Sequence, residues 1–214
     1  MVKDMNAQKS TQSLDTPMIT NAFKKPDEEK IKVIEKHFSI IMTELGLDIN
    51  DESLKDTPHN VSKMFVKEMF SGLNPLNKPK ITFLTNSYDY DEIIVEANIT
   101  FNSTCQYHFL PIIGKIDIGY VSSGRVVSIS KLNKIIQFYA RRPQTQERLV
   151  LQIFNELKTV LDTENIIVVL ETSNLCSSFV DIKDPSNYTS TFKQSGSFDQ
   201  KEFREDFFRL INHI

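Results

Sequence analysis

The spacing of apolar residues changes along the chain, and this change constrains the fold more than any other feature. Residues 93–101 are rich in strand-forming side chains, and residues 115–121 alternate between apolar and polar. Two longer stretches, near 131–141 and 144–162, have the pattern of helices with one buried face. A last core strand is predicted at 166–171. Strands on either side of two central helices predict an α+β domain.

Helices are also predicted at both ends of the chain. Pro26 begins a helix that ends at Gly46, and a second helix is expected from residue 58 to residue 72. The expected buried positions of the first helix are Ile31, Ile34, Phe38, Ile41 and Leu45. The predicted terminal helix carries Phe203, Phe207 and Leu210. Residues 122–124 have the composition of a hairpin turn and lead into a predicted strand at 125–129.

Composition divides the chain into three parts. Residues 1–25 are polar without lasting periodicity and are predicted to form a mobile N-terminal arm. Residues 26–75 are the N-terminal helical region, and residues 76–214 are the domain that contains the strands. A chain of 214 residues can bury one sizeable core, so a single domain with an appendage is the expectation.

Charge and hydropathy exclude several classes of partner. The formal net charge of −3 gives no electrostatic case for binding nucleic acid or an anionic membrane. No apolar run approaches the length of a membrane span, and the N-terminus lacks the apolar core of a signal peptide. We therefore expect a cytoplasmic protein. In a reducing compartment its two cysteines are expected to bind metal or remain free thiols.

The strongest chemical signal is Cys105-Gln106-Tyr107-His108, together with the second cysteine, Cys176. A C-x-x-H spacing lets one tight turn direct a thiolate and an imidazole at one ion, and Cys176 follows the last predicted core strand. Three protein ligands leave the fourth position of Zn²⁺ open for water, as in catalytic zinc sites. From the spacing alone, the simpler alternative is a buried free thiol and a histidine with ordinary hydrogen bonds.

The context of this motif resembles GTP cyclohydrolase I over nearly the whole chain from about residue 26. The matching stretches are Thr57-Pro58 with Val61 and Lys63-Met64, Cys105-x-x-His108-x-x-Pro111-x-x-Gly114-Lys115, Ser130-Lys131-Leu132, Tyr139-Ala140-Arg141-Arg142-Pro143-Gln144-x-Gln146-Glu147-Arg148-Leu149, and Cys176. The resemblance implies the tunnelling fold, an antiparallel sheet with two helices on one face. It also implies Zn²⁺ held by Cys105, His108 and Cys176, and a ring-shaped homo-oligomer, a decamer, with active sites between subunits.

The family reaction opens the imidazole ring of guanine in GTP, releases formate and gives dihydroneopterin triphosphate for pterin and tetrahydrofolate biosynthesis. Its proton transfers need groups that titrate near pH 7. The resemblance implies catalytic histidines where this chain has Tyr107 and Asn174, and a glutamate where it has Gln106. Neither replacement readily carries protons in this range. His59 is the one candidate substitute, and its simpler interpretation is a solvated residue at a helix start.

The resemblance also assigns ligand-binding roles. Gln146 and Glu147 match the residues that hold the guanine base, and a carboxylate suits both the N1 hydrogen and the N2 amino group. The alternative for Glu147 is an ion pair, within a helix turn or across an interface, with a neighbouring arginine such as Arg148 or Arg142. Further matching positions are Ser130, with a catalytic role, and Lys63 and Lys131, which bind substrate. The family has arginines where this chain has Asn60, Lys134 and Val180, so a triphosphate is expected to be held less firmly, with Lys134 still contributing.

Three hypotheses about function follow from this pattern. The first is a divergent zinc-dependent hydrolase that recognises a purine nucleotide or pterin-like ligand, with impaired or altered activity on GTP. The second is a catalytically silent binding or regulatory subunit, in a hetero-oligomer with an authentic cyclohydrolase. The third is an ordinary GTP cyclohydrolase I. The loss of a general acid or base typically costs about 10²–10⁴-fold in rate, which argues against the third.

Overall fold

The structure, a computed structural model, describes residues 14–174 and 188–212, and these contain five α-helices and seven β-strands. The helices are α1 (Asp27–Glu44), α2 (Thr57–Met64), α3 (Ile129–Ala140), α4 (Gln146–Leu161) and α5 (Lys201–Ile211). The strands are β1 (Leu84–Thr85), β2 (Ile93–Cys105), β3 (Pro111–Val121), β4 (Arg125–Val126), β5 (Pro143–Gln144), β6 (Ile166–Asn174) and β7 (Tyr188–Ser195).

One five-stranded sheet, in the order β5-β2-β3-β6-β7, forms the centre of the described chain. Its long strands are antiparallel neighbours, whereas the two-residue β5 runs parallel to the end of β2. The α+β class predicted from the apolar spacing is confirmed.

Helices α3 and α4 pack against one face of this sheet. The alternation in β3 sends Ile116, Ile118 and Tyr120 to that face, where each is at most 1% exposed. Leu132 of α3 and Leu157 of α4 are fully buried in the same cluster. Each such side chain contributes about 1.5–3 kcal/mol relative to its exposed state, so this layer is the main source of stability. The expected arrangement of two helices on one face is confirmed.

The terminal helix α5 lies on the opposite face of the sheet. Ile167 and Val169 of β6 point to that side and pack with Phe198 and Phe207, and all four are buried. The predicted terminal helix is present, with Phe207 buried and Leu210 40% exposed near its end.

Two elements differ from the predictions. The strand predicted at 125–129 is the two-residue β4, which is short because α3 already begins at Ile129. It pairs with β1 and not with β3. The helix predicted from 58 to 72 changes form after Met64 into a π-helical turn, Phe65–Met69, and then a 3₁₀ turn, Ser71–Leu73.

The N-terminal helical region is present, but its apolar face is only partly covered. Helix α1 follows Pro26, and the positive φ of Gly46, 84°, lies just beyond its end, as predicted. Ile31 is buried, whereas Ile41 and Leu45 are 51% and 73% exposed. The predicted burial of Ile41 and Leu45 is therefore wrong within a single chain.

The described part of the N-terminal arm contacts the domain. The carbonyl oxygen of Leu14 accepts a 2.6 Å hydrogen bond from Nε2 of Gln152, and Thr16 is buried. The boundaries drawn at residues 25 and 75 stay predictions. Among the described residues, no helix combines the length and apolar character that crossing a membrane requires.

Candidate functional site

A tight hairpin between β2 and β3 brings Cys105 and His108 together in one turn. The amide of Cys105 donates to the carbonyl of Leu110 at 2.8 Å, and the amide of Phe109 donates to the carbonyl of Cys105 at 2.9 Å. Phe109 has a positive φ of 56°, which lets the chain reverse within four residues. Cys105 is 5% exposed and forms no disulfide, whereas His108 is exposed. A thiol and an imidazole from one turn are donors that zinc prefers, so these two residues fit the expected ion.

The third predicted zinc ligand lies outside the described residues. Strand β6 ends at Asn174, which pairs with Ile112, the second residue of β3 after the hairpin. Cys176 follows two residues later, and neither it nor Val180 falls within residues 14–174 and 188–212. Those ranges contain no cluster of three His, Cys, Asp or Glu side chains that could hold a metal. The zinc site with Cys176 stays a prediction.

Arg148 fixes the hairpin from the side of α4. Its Nη2 donates to Oε1 of Gln106 at 2.8 Å and to the carbonyl of Pro143 at 2.5 Å, and its Nε donates to Oε1 of Gln144 at 2.9 Å. Burial lowers the pKa of the Arg148 guanidinium, and the nearby Tyr107 acts in the opposite direction. Because Gln106 is neutral, the charge of Arg148 has no ionic partner among the described residues.

The same network continues to the N-terminal segment. Nε2 of Gln144 donates to Oε1 of Gln152 at 2.8 Å, and Gln152 in turn donates to the carbonyl of Leu14. Sequence reasoning missed this connection. The signal that could have found it is the spacing of four residues between Gln144, Arg148 and Gln152, which places polar groups on one side of α4 and of the residues just before it.

The two positions at the expected catalytic histidines are a tyrosine on the hairpin and an asparagine on β6. Tyr107 is 74% exposed, next to His108, and Asn174 is the last residue of its strand. The candidate substitute His59 lies on α2, where its Nδ1 is 3.1 Å from Oε2 of Glu35 on α1. His59 is thus a solvated residue at a helix start, as its simpler interpretation predicted.

Gln146 and Glu147, adjacent in sequence, have different environments. Gln146 is buried: its Oε1 accepts from Oγ1 of Thr172 at 2.9 Å, and its Nε2 donates to the carbonyls of Thr189 at 2.8 Å and Leu170 at 3.3 Å. Its amide is therefore used within the fold. Glu147 is exposed and lines a groove between α4 and β7.

The ion-pair alternative for Glu147 finds no support among the described residues. The guanidinium of Arg148 is used by the hairpin network, and that of Arg142 lies over the rings of Phe138 and Tyr139, 4.5 and 4.7 Å from their centroids. The carboxylate of Glu147 is consequently open to a ligand or to a second subunit.

The remaining predicted residues divide between a cleft and the open surface. Ser130 and Lys134 of α3 line a cleft of about 690 Å³, and Ser130 Oγ lies 3.2 Å from Ser128 Oγ. Lys63 is exposed on α2, and Lys131 is half-buried on α3. Neither of these lysines lines that cleft, nor does Glu147. Within one chain the predicted ligand-binding residues are therefore not gathered into one pocket.

Comparison with known proteins assigns a family over most of the chain. A family model described as GTP cyclohydrolase I matches residues 34–212. GTP cyclohydrolase 1 of Flavobacterium johnsoniae is 46% identical over 195 residues, which cover 91% of this chain and 87% of the relative. GTP cyclohydrolase 1 of Aeromonas salmonicida is 40% identical over 197 residues, with 92% and 89% covered.

A more distant likeness comes from a solved structure. The apo form of the archaeosine synthase QueF-Like is 14% identical to this chain, with a TM-score of 0.42, and the match covers 50% of this chain and 95% of that one. A likeness this weak adds nothing to the family assignment.

Proposed function

The chain belongs to the GTP cyclohydrolase I family, and from this premise we propose that it binds GTP and hydrolyses the imidazole ring of its guanine base. The observation that carries the proposal is the hairpin at Cys105 and His108, which keeps both donors of the motif in one turn. Relatives named GTP cyclohydrolase 1 over about nine-tenths of the chain favour the ordinary family reaction on GTP over a different purine.

The proposed site combines this hairpin with ligand-binding residues from α3 and α4. Zn²⁺ bound by Cys105, His108 and Cys176 would lower the pKa of water to about 7 and supply hydroxide at neutral pH. Glu147 is proposed to accept hydrogen bonds from N1 and the N2 amino group of guanine, since both carboxylate oxygens are open among the described residues.

Proton transfer is the step in which this chain departs from the family pattern. Tyr107 and Asn174 replace groups that exchange protons near pH 7, and each such loss typically costs about 10²–10⁴-fold in rate. We expect the later rearrangement and ring closure, which need repeated proton transfers, to be slowed more than the release of formate. The same replacements favour a second candidate, a catalytically silent subunit that binds GTP.

The proposed assembly is a ring of identical subunits. Its support is the family assignment, together with the separation of Glu147, Lys63 and Lys131 from the cleft at Ser130 within one chain. A second subunit could bring these groups to one ligand. Co-assembly with an authentic cyclohydrolase is the alternative.

The test follows formate and pterin fluorescence separately. Purified protein supplied with Zn²⁺ is incubated with GTP, and we expect formate to exceed the fluorescent product. Fluorescent product equal to formate at an ordinary rate would show that the replacements are harmless. GTP binding without formate would leave the silent subunit, and the absence of binding would exclude all three hypotheses.

A pair of substitutions tests the role of the replaced positions. Tyr107→His combined with Asn174→His restores two groups that titrate near pH 7, and we expect fluorescent product to rise by at least about 100-fold. The matched control is Tyr88→His, because Tyr88 is a tyrosine that is 94% exposed and outside the hairpin. An equal effect of the control would contradict the assigned role.

A further inference from the structure

One face of α3 presents polar and cationic side chains at helical spacing. Ser130, Lys134, Gln137 and Arg141 follow one another at steps of four, three and four, so they share a side of the helix and its C-terminal end. The opposite side is apolar, and its residues are fully buried: Leu132, Ile135 and Ile136. The packing of that apolar side fixes the direction in which the polar stripe faces.

This stripe forms one wall of the cleft of about 690 Å³ described above. Three cationic residues line the cleft: Lys67, Lys134 and Arg141. Five uncharged hydrogen-bonding residues line it as well: Ser71, Asn77, Ser130, Asn133 and Gln137. None of the residues that line it is acidic, and its volume lies within the range of about 300–1,000 Å³ typical of small-molecule sites. A concave surface of this composition suits an anion.

The three cations are not equally free to bind. Lys67 Nζ lies 3.1 Å from Oε1 of Glu28 and 3.5 Å from Oδ2 of Asp27, so its charge is largely compensated. The side chains of Lys134 and Arg141 have no hydrogen bond or ion pair among the described residues. They are about 10 Å apart along the helix axis, within reach of one extended anion because both side chains are long.

The backbone around Arg141 has two opposing effects on an anion. Its carbonyl oxygen accepts a 3.0 Å hydrogen bond from the amide of Gly72, which removes one exposed acceptor from the wall of the cleft. The C-terminal end of α3 carries a partial negative charge of about half an electron, which opposes an anion. The full charge of the guanidinium outweighs it.

We propose that Arg141 binds the phosphate groups of the nucleotide in this cleft. The chain has Asn60 and Lys134 at positions where the family resemblance implies arginines, and Arg141 is the one arginine lining the cleft in the described chain. Its planar fork can donate two hydrogen bonds to one phosphate, which a lysine cannot do. The nucleotide's identity as GTP rests on the proposed function, whereas recognition of a polyphosphate does not.

The test measures the binding of inorganic tripolyphosphate to the full-length protein by calorimetry, without turnover. We expect Arg141→Gln to weaken binding by about 10-fold or more, and Arg141→Lys to have an intermediate effect because it keeps charge but loses the fork. The matched control is Arg209→Gln, which makes the same change in charge at a 68% exposed side chain on α5. It should change binding by less than about twofold, as expected for a distant, screened charge.

GTP and guanosine are compared with the same variants. Arg141→Gln should weaken GTP binding and leave guanosine binding unchanged. Failure of the unsubstituted protein to bind tripolyphosphate, or equal effects of Arg141→Gln and Arg209→Gln, would overturn the inference. Tripolyphosphate binding that depends on Arg141, in a protein that releases no formate from GTP, would refute the proposed hydrolysis and leave this inference standing.

Discussion

At the scale of single residues, Arg148 connects the candidate site to the rest of the fold. Its guanidinium serves three acceptors, on Gln106, Gln144 and Pro143, and only the first belongs to the hairpin. A carboxylate at position 106 would form an ion pair with the guanidinium of Arg148. The neutral amide of Gln106 accepts one hydrogen bond from Arg148 instead, so the hairpin is held by a directional hydrogen bond and not by an ion pair.

We predict that Arg148→Met lowers the free energy of unfolding by about 2–3 kcal/mol, because the part-buried oxygens of Gln106, Gln144 and Pro143 lose a charged donor. Urea denaturation measures the change. Arg209→Met is the control, since Arg209 is exposed on α5 and pairs with Asp206 alone. Equal midpoints for the two variants would show that the network contributes nothing measurable.

At the scale of elements, the burial of one face made β3 and the two central helices predictable. Ile116, Ile118 and Tyr120 alternate because one face of β3 packs on α3 and α4, and that period can be read directly. The two residues of β4 are too few to carry a period, so their pairing with β1 could not be inferred. The π-helical turn after Met64 leaves the spacing of Phe65 and Met69 nearly helical, which hid the change.

The candidate site was predictable to the extent that its chemistry is local. Cys105 and His108 lie in one turn, and because only two residues separate them, this proximity could be predicted from the sequence. The contact between Arg148 and Gln106 spans 42 positions and depends on how α4 packs, which neither residue's neighbours reveal. The proposed role of Arg141 could not be read from the sequence, because the opposite wall of its cleft comes from the distant 67–79 segment.

The junction between α3 and the 3₁₀ turn at Ser71–Leu73 depends on a glycine. A Cβ at position 72 would lie 2.0 Å from the carbonyl oxygen of Phe138 and 2.8 Å from that of Arg141. We predict that Gly72→Ala separates the two walls of the cleft, lowers the free energy of unfolding by about 1–3 kcal/mol and weakens tripolyphosphate binding. Denaturation and calorimetry test this against Ser87→Ala, a change at an exposed residue outside the cleft. Unchanged binding by Gly72→Ala would separate the cleft from this junction.

At the scale of the whole molecule, the uncovered apolar residues of α1 form one surface. Val33, Ile40 and Ile41 are 43%, 48% and 51% exposed, and their spacing of seven and eight residues places them on the same side of the helix. Ile31 and Met42, on the other side, are buried, and α1 packs against α2 and the π-helical turn Phe65–Met69. Exposed apolar residues grouped on one side of a helix are typical of a contact with another chain, and the proposed ring provides one.

If α1 contributes to a subunit interface, then Ile41→Lys must bury a charge there without a partner. We predict that the substitution shifts the protein from a ring to smaller species, because desolvating an unpaired ammonium costs several kcal/mol. Light scattering after size-exclusion chromatography measures the mass, and Leu76→Lys is the control, since Leu76 is 89% exposed and lies outside α1. Formate release from GTP should fall in parallel with the mass, because the proposed site needs groups from two subunits. An unsubstituted protein that elutes as a monomer, or an Ile41→Lys variant of unchanged mass and lower activity, would separate α1 from assembly.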